Sequence, residues 1–173
     1  MVTIIAATNR PQSNTLKVAE YYKRKLSEKG LATNLLSLED LPHDLLFTDL
    51  YGKRSDAFTK IQVVITNTEK FLFVIPEYNG SFPGVLKLFV DACTFPQSFY
   101  EKKAALVGVS SGKYGNIRGV EHFTGICNYI HLHVMPLRLH IPAIATELDE
   151  NGNFYKEDTL KFTDSQMDKF LKF

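Results

Sequence analysis

The sequence predicts an α/β fold built around a parallel sheet. Three observations predict it. Short β-rich apolar runs alternate with longer stretches of helical period along the whole chain. Phe71-Leu72-Phe73-Val74-Ile75 is continuously apolar, as expected of a strand buried on both faces. Polar or glycine-containing loops follow Ala7, Ile75 and Val109, the ends of three such runs.

Taken in order, Val2 to Ala7 is a first strand that runs into the polar turn Thr8 to Asn14. Leu16, Ala19, Tyr22 and Leu26 then recur at helical spacing, with Gly30 as a stop. Thr33 to Leu38 reads as a second strand, followed by a loop through Leu41-Pro42-His43-Asp44. A helix is expected within Ser55 to Lys70, although the β-branched Val63 to Thr66 blurs it. After the Phe71 strand and its turn, Pro83 to Thr94 predicts a helix with Pro83 in the first turn. Lys103 to Val109 reads as a buried strand, Gly119 to His131 as a helix, and Val134 to His140 as a further strand. Asp149 to Asn153 is a turn, and Asp164 to Phe173 a short final helix. No repeat, low-complexity tract or Pro/Gly-rich linker interrupts the 173 residues, so one domain is expected.

Bulk composition names no partner. With 20 Lys+Arg against 19 Asp+Glu the formal net charge is +1. The basic excess of a nucleic-acid binder and the acidic excess of a disordered chain are both missing. The N-terminal apolar run is short and lacks a basic flank, unlike a signal peptide, and no run approaches the ~18 apolar residues of a membrane span. Cys93 and Cys127 lie in separate apolar stretches with no CxxC, as expected of buried, reduced core residues. A cytoplasmic location is the default expectation.

In open parallel α/β sheets, ligands bind beyond the carboxyl ends of the strands, where the strand order reverses. The first loop carries Thr8, Arg10, Ser13, Asn14 and Thr15 just before a helix. Hydroxyls, an amide, a guanidinium and helix N-terminal N–H groups suit a phosphate dianion, although for this loop taken alone a plain N-cap at Ser13 or Asn14 with a solvated Arg10 is the simpler reading. The second loop places Glu77, Tyr78 and Asn79 after a buried strand. Tyr78 could lie along a planar ring whose polar edge meets Asn79 and backbone N–H groups, and Gly80 permits a positive φ. A simple surface turn is the competing reading. The third loop, Ser110-Ser111-Gly112-Lys113-Tyr114-Gly115, could bring main chain against a flat ligand or be a flexible connection.

Other chemistries find less support. The Walker A pattern GxxxxGK(S/T) and the dinucleotide-binding GxGxxG are both missing. His122, His131, His133 and His140 occur without HExxH or a carboxylate at ligand spacing, so a metal site is not expected. Gly108-Val109-Ser110-Ser111-Gly112 matches the GxSxG of a hydrolase nucleophile elbow. That triad needs a histidine after its acid; the last histidine is His140, before the candidate Asp149.

The segment Pro76-Glu77-Tyr78-Asn79-Gly80-Ser81-Phe82-Pro83-Gly84-Val85-Leu86-Lys87, with Asp91, resembles the PEYNxSxPGxLKNxxD signature of the NADPH-dependent FMN reductase family. Arg10, Ser13, Asn14 and Thr15 resemble its GSxRxxSxN phosphate loop, and Ser110 to Gly115 its SxGxxG loop. Ala7-Thr8 stands where Gly-Ser is common, Leu88 where Asn is usual, and Asn116 where glycine is frequent.

The resemblance implies a flavodoxin-like three-layer sandwich with a five-stranded parallel sheet of order 2-1-3-4-5. It implies bound FMN, with NADPH or NADH as donor and a quinone, azo compound or free flavin as acceptor, in ping-pong order. Carried over, Thr8, Arg10, Ser13, Asn14 and Thr15 would hold the phosphate. Pro76, Glu77, Tyr78, Asn79 and Gly80 would frame the isoalloxazine together with Ser110, Ser111, Gly112, Tyr114 and Gly115. The hydride chemistry belongs to the cofactor, so no general acid or base is nominated. A homodimer or homotetramer is also implied, with Phe47 to Tyr51 as a candidate contact. Arg118 or Lys113 would meet a 2′-phosphate or be solvated. The alternatives are a flavodoxin-type electron carrier, which is usually acidic with a TxTGxT-like loop, and a non-catalytic FMN-binding protein.

Overall fold

A computed structural model describes residues 1–51 and 53–173. Six parallel strands alternate with helices: β1 (Val2–Ala6), α1 (Asn14–Glu28), β2 (Thr33–Ser37), α2 (Leu45–Thr48), α3 (Asp56–Thr66), β3 (Lys70–Pro76), α4 (Gly84–Ala92), β4 (Lys103–Val109), α5 (Ile117–Tyr129), β5 (His133–Val134), β6 (Leu139–Ile141) and α6 (Glu157–Lys172). A 3₁₀ turn at Leu38–Asp40 precedes α2 in the region read as a loop. The sheet order is β2-β1-β3-β4-β5, with β6 also pairing β4. This is the flavodoxin-like arrangement, whose order reverses between β1 and β3.

Side-chain alternation along the strands builds the two outer layers. Phe71, Phe73 and Ile75 face one side, where they pack with Phe58 of α3, Leu86 and Phe89 of α4, and Val120 and Phe123 of α5. Leu72 and Val74 face the other, against Val18 and Tyr22 of α1 and Met167 and Phe170 of α6. Every residue from Phe71 to Pro76 is buried, which explains its continuous apolar run. The β-branched Val63–Thr66 lies in α3 after all, because Phe58 and Ile65 bury on one face of that helix. Gly30, at φ +86°, ends α1 as expected.

Four sequence expectations need correction. The single strand expected over Val134 to His140 is two short strands: β5 pairs Lys103 and Ala104, and β6 pairs Val107 to Val109. Pro136 falls in the break, and proline has no N–H for a ladder. The expected order 2-1-3-4-5 holds, with β6 a minor extra strand beside β4. The last helix is not short: at 16 residues it starts at Glu157 rather than Asp164. No side chain caps it, so its start lacks the usual sequence signature, although Glu157 and Asp158 suit the positive end of its dipole. Pro83 is the N-cap of α4, one position before its first turn. Cys127 is buried but Cys93 only half so; burial pushes both thiols up to about 12, and both are free.

Candidate functional site

All strands run parallel, so the loops after β1, β3 and β4 meet at one end of the sheet. The first loop leaves β1 through Ala7, whose N–H still bonds the Val74 carbonyl at 2.9 Å. Gln12 at φ +51° then turns the chain into α1. Ser13 is the N-cap: its Oγ accepts from the Leu16 N–H at 3.1 Å, leaving the hydroxyl proton free to donate outward. Asn14 and Thr15 form the first helical turn, and Arg10 extends exposed beside it.

Thr8 is placed differently from its neighbours. It is 1% exposed, and its Oγ1 lies 2.7 Å from the Tyr78 hydroxyl while accepting from the Arg10 N–H at 3.2 Å. Its hydroxyl ties the first loop to the second rather than facing outward.

The second loop is both a turn and a wall. Tyr78 and Ser81 exchange backbone hydrogen bonds of 2.8 and 3.0 Å around Asn79 (φ +51°) and Gly80 (φ +76°). Positive φ at both central residues is the type I′ hairpin turn that Asn-Gly favours. The Glu77 N–H bonds the Val109 carbonyl at 3.0 Å, so its donor serves the sheet. Among the described residues the N–H groups of Asn79 and Gly80 have no backbone acceptor.

In the third loop Ser110 is structural. Its Oγ donates to the Gly112 carbonyl at 3.0 Å and accepts from the Gly115 N–H at 2.9 Å. Its backbone bonds Ile141 and Ile144. A side chain so committed is no exposed nucleophile, which removes the structural basis of the hydrolase reading. Gly115 (φ +55°) packs against strand β6: a Cβ there would lie 2.5 Å from the His140 carbonyl carbon. Ser111, Gly112 and Tyr114 stay exposed.

Asn116 locks the two loops together. It is fully buried in the left-handed region (φ +60°), where asparagine substitutes well for glycine. Its Nδ2 donates to the Ile75 carbonyl at 3.0 Å, and its Oδ1 accepts from the Gly119 N–H at 3.1 Å, capping α5. Gly119 in turn lets α5 approach the hairpin: a Cβ would lie 2.6 Å from the Ser81 carbonyl carbon. Leu88 is likewise accounted for, as it packs against the core cluster under α4.

Together these loops enclose a cleft of about 250 Å³ between Arg10, Ser13, Asn14 and Thr15 on one side and Pro76 to Tyr78 with Ser110 and Ser111 on the other. A second compartment of about 360 Å³ shares Glu77, Ser110 and Ser111 and continues past Asn79, Gly80, Gly112 and Tyr114. Of the residues singled out from sequence, Thr8 and Gly115 line neither compartment. Gln12, Val109 and Ile144 line the first without having been singled out. Ile144 could not have been: it arrives from beyond β6 through its N–H bond to Ser110. Among the described residues no group of three His, Cys, Asp or Glu is placed to hold a metal, and no helix is long and apolar enough to cross a membrane. His131 and His133 pair with Glu101 beside the amino ends of β4 and β5, at the opposite end of the sheet.

Comparison with known proteins agrees with this architecture. A 2-hydroxy-1,4-benzoquinone reductase of a Burkholderia species is 36% identical over 162 residues, covering 86% of this chain and 88% of that one. A quinone reductase of Pseudomonas putida is 28% identical and covers 98% and 91%. The solved NAD(P)H:acceptor oxidoreductase FerB of Paracoccus denitrificans superposes with a TM-score of 0.80 at 24% identity over 99% and 94% of the two chains, a likeness of fold. The sequence model of the NADPH-dependent FMN reductases matches residues 1–145, and the chain belongs to that family of oxidoreductases.

Proposed function

We propose that residues 1–173 form one domain that holds FMN across the two joined compartments and passes reducing equivalents from NADPH or NADH to a small acceptor such as a quinone, azo compound or free flavin. The observation that carries this reading is the polarity of the joined clefts. One end is lined by the N-cap hydroxyl, the Asn14 amide and the Arg10 guanidinium, and the other by a hairpin, exposed main chain and an aromatic ring. A phosphate dianion suits the first set and a planar ring system the second.

In this reading Arg10, Ser13, Asn14 and Thr15 hold the phosphate, with the N–H groups of the first turn of α1 adding their dipole. Thr8 acts from behind by anchoring Tyr78. Pro76, Glu77, Tyr78, Asn79 and Gly80 form one wall for the isoalloxazine, and Ser110, Ser111, Gly112 and Tyr114 the other. Gly115 sets the path of the latter loop. When bound, FMN supplies the hydride chemistry. The protein's part is orientation by the hairpin, hydrogen bonding to the ring's polar edge and exclusion of water from one face. The free Asn79 and Gly80 N–H groups are the donors closest in kind to that task.

A homodimer or homotetramer goes with this reading, supported by Phe47 of α2 and Tyr51 just after it, which are 84% and 94% exposed. A cytoplasmic location is supported by two free cysteines. The absorption spectrum of the purified protein, followed by anaerobic titration with NADPH and NADH and by turnover with a quinone, tests the proposal. A yellow protein bleached by a nicotinamide and restored by quinone is expected. Colourless protein that does not take up added FMN refutes it.

A further inference from the structure

Beyond the two compartments assigned to the flavin lies a third, smaller one of about 140 Å³, lined by Glu77, Tyr114, Ile117 and Arg118. It touches the flavin compartment through Glu77 and Tyr114. A cavity of about 150 Å³ holds one benzene ring, so a single six-membered ring fits this half-open space. Tyr114 (63% exposed) and Ile117 (47%) offer flat and aliphatic surface to such a ring.

The charge at its edge is largely uncommitted. Arg54 donates to Gln62, Thr94 and the Ala92 carbonyl, Arg138 pairs with Glu121, and Arg24 bonds Asn153. Arg118 has only a 3.7 Å contact to Glu77, and its guanidinium side chain is 66% exposed. Most of its five N–H donors are therefore uncommitted. Glu77 is the only carboxylate among the described residues that line this compartment and its neighbour, and Lys113 lines that neighbour as well. Two cations against one carboxylate leave a positive rim. A planar guanidinium fork matches an oxyanion on a ring better than a neutral carbonyl.

We infer that Arg118 selects single-ring acceptors carrying an ionised oxygen, such as hydroxyquinones that are anionic at neutral pH, over neutral rings of the same size. The inference rests on the flavin-binding reading above and adds the acceptor's class to it.

Calorimetric titration of the FMN-loaded protein with benzoate and with neutral benzamide tests binding without turnover. Wild type is expected to bind benzoate at least fivefold tighter than benzamide. Arg118→Gln should abolish that preference and Arg118→Lys should keep part of it. In turnover, the kcat/KM ratio of a hydroxyquinone to its methyl ether should fall about tenfold in Arg118→Gln, the loss expected of one charge-assisted hydrogen bond. Equal binding of benzoate and benzamide by wild type overturns the inference. So does an unchanged ratio in Arg118→Gln, or an effect confined to NADPH over NADH, which would assign Arg118 to a 2′-phosphate. A protein with no FMN or no quinone turnover refutes the functional reading instead, which keeps the two failures apart.

Discussion

The Tyr78 hydroxyl lies 2.7 Å from Thr8 Oγ1, joining residues 70 positions apart in sequence and two loops of one cleft. Because Thr8 is buried, its hydroxyl cannot exchange this partner for bulk water. The bond therefore couples the end of the cleft beside α1 to its hairpin end.

Tyr78→Phe removes that coupling and leaves the ring. The expected result is a loss of about 1 kcal/mol of stability, seen as a Tm lower by about 2–4 °C. FMN affinity, read by fluorescence titration, should weaken by about threefold to tenfold as the hairpin loosens. A variant that matches wild type in both readouts would show the bond to be incidental.

Asn116 combines three roles: a left-handed backbone, the cap of α5 and a donor to the Ile75 carbonyl. Asn116→Ala should cost about 2–4 kcal/mol in urea denaturation, from a lost cap and a buried carbonyl left without its side-chain donor. Asn116→Gly retains the backbone conformation and should be more stable than the alanine variant by about 1 kcal/mol. The reverse order would place the importance of this residue elsewhere than in its φ.

Gly119→Ala puts a methyl group 2.6 Å from the Ser81 carbonyl carbon and 2.7 Å from the Phe82 nitrogen. Backbone cannot yield as a side-chain tip does, so α5 or the hairpin must move. A cost of about 1–3 kcal/mol is expected, together with weaker FMN binding. Gly112→Ala is the control, since nothing lies within 4 Å of a Cβ there; it should fold with wild-type stability.

Asp49, the C-cap of α2, ties the segment that displays Phe47 and Tyr51 to the start of α3 through Ser55. Burial raises its pKa, but the Ser55 N–H, the Thr48 hydroxyl and the Ser55 hydroxyl more than offset this and hold it below the usual carboxylate value. A depressed folded pKa contributes stability that is complete above the unfolded value, about 3.9, and is lost as pH falls through the folded one. Asp49→Asn should therefore be destabilised at neutral pH, and its gap to wild type should narrow as urea midpoints are followed below about pH 4. A gap constant down to pH 2 would contradict this origin.

Much of the protein was legible in the sequence because period and turn chemistry are local properties. The all-apolar Phe71–Ile75 run revealed a strand buried on both faces, and Asn79-Gly80 is a dipeptide whose conformation depends little on its surroundings. The polar loops after Ala7, Ile75 and Val109 could be found at strand ends for the same reason. The start of α6 at Glu157 was not legible, because its N-cap, Lys156, makes no side-chain cap hydrogen bond. Nor was the break in the last strand, which depends on how Pro136 falls against β4.

The sequence by itself determined the alternation of strands and helices, the hairpin turn and the family signature around it. Tertiary structure alone decided what the same residue types do within the cleft. Thr8 and Ser13 are both hydroxyl residues of one loop, yet one is bound to Tyr78 and the other caps a helix with its proton free. Ser110 and Ser111 are adjacent, yet only Ser110 is consumed by its own loop. A hydroxyl's availability is set by the partner that packing brings to it, and that partner lies 70 residues away for Thr8 but only three for Ser13.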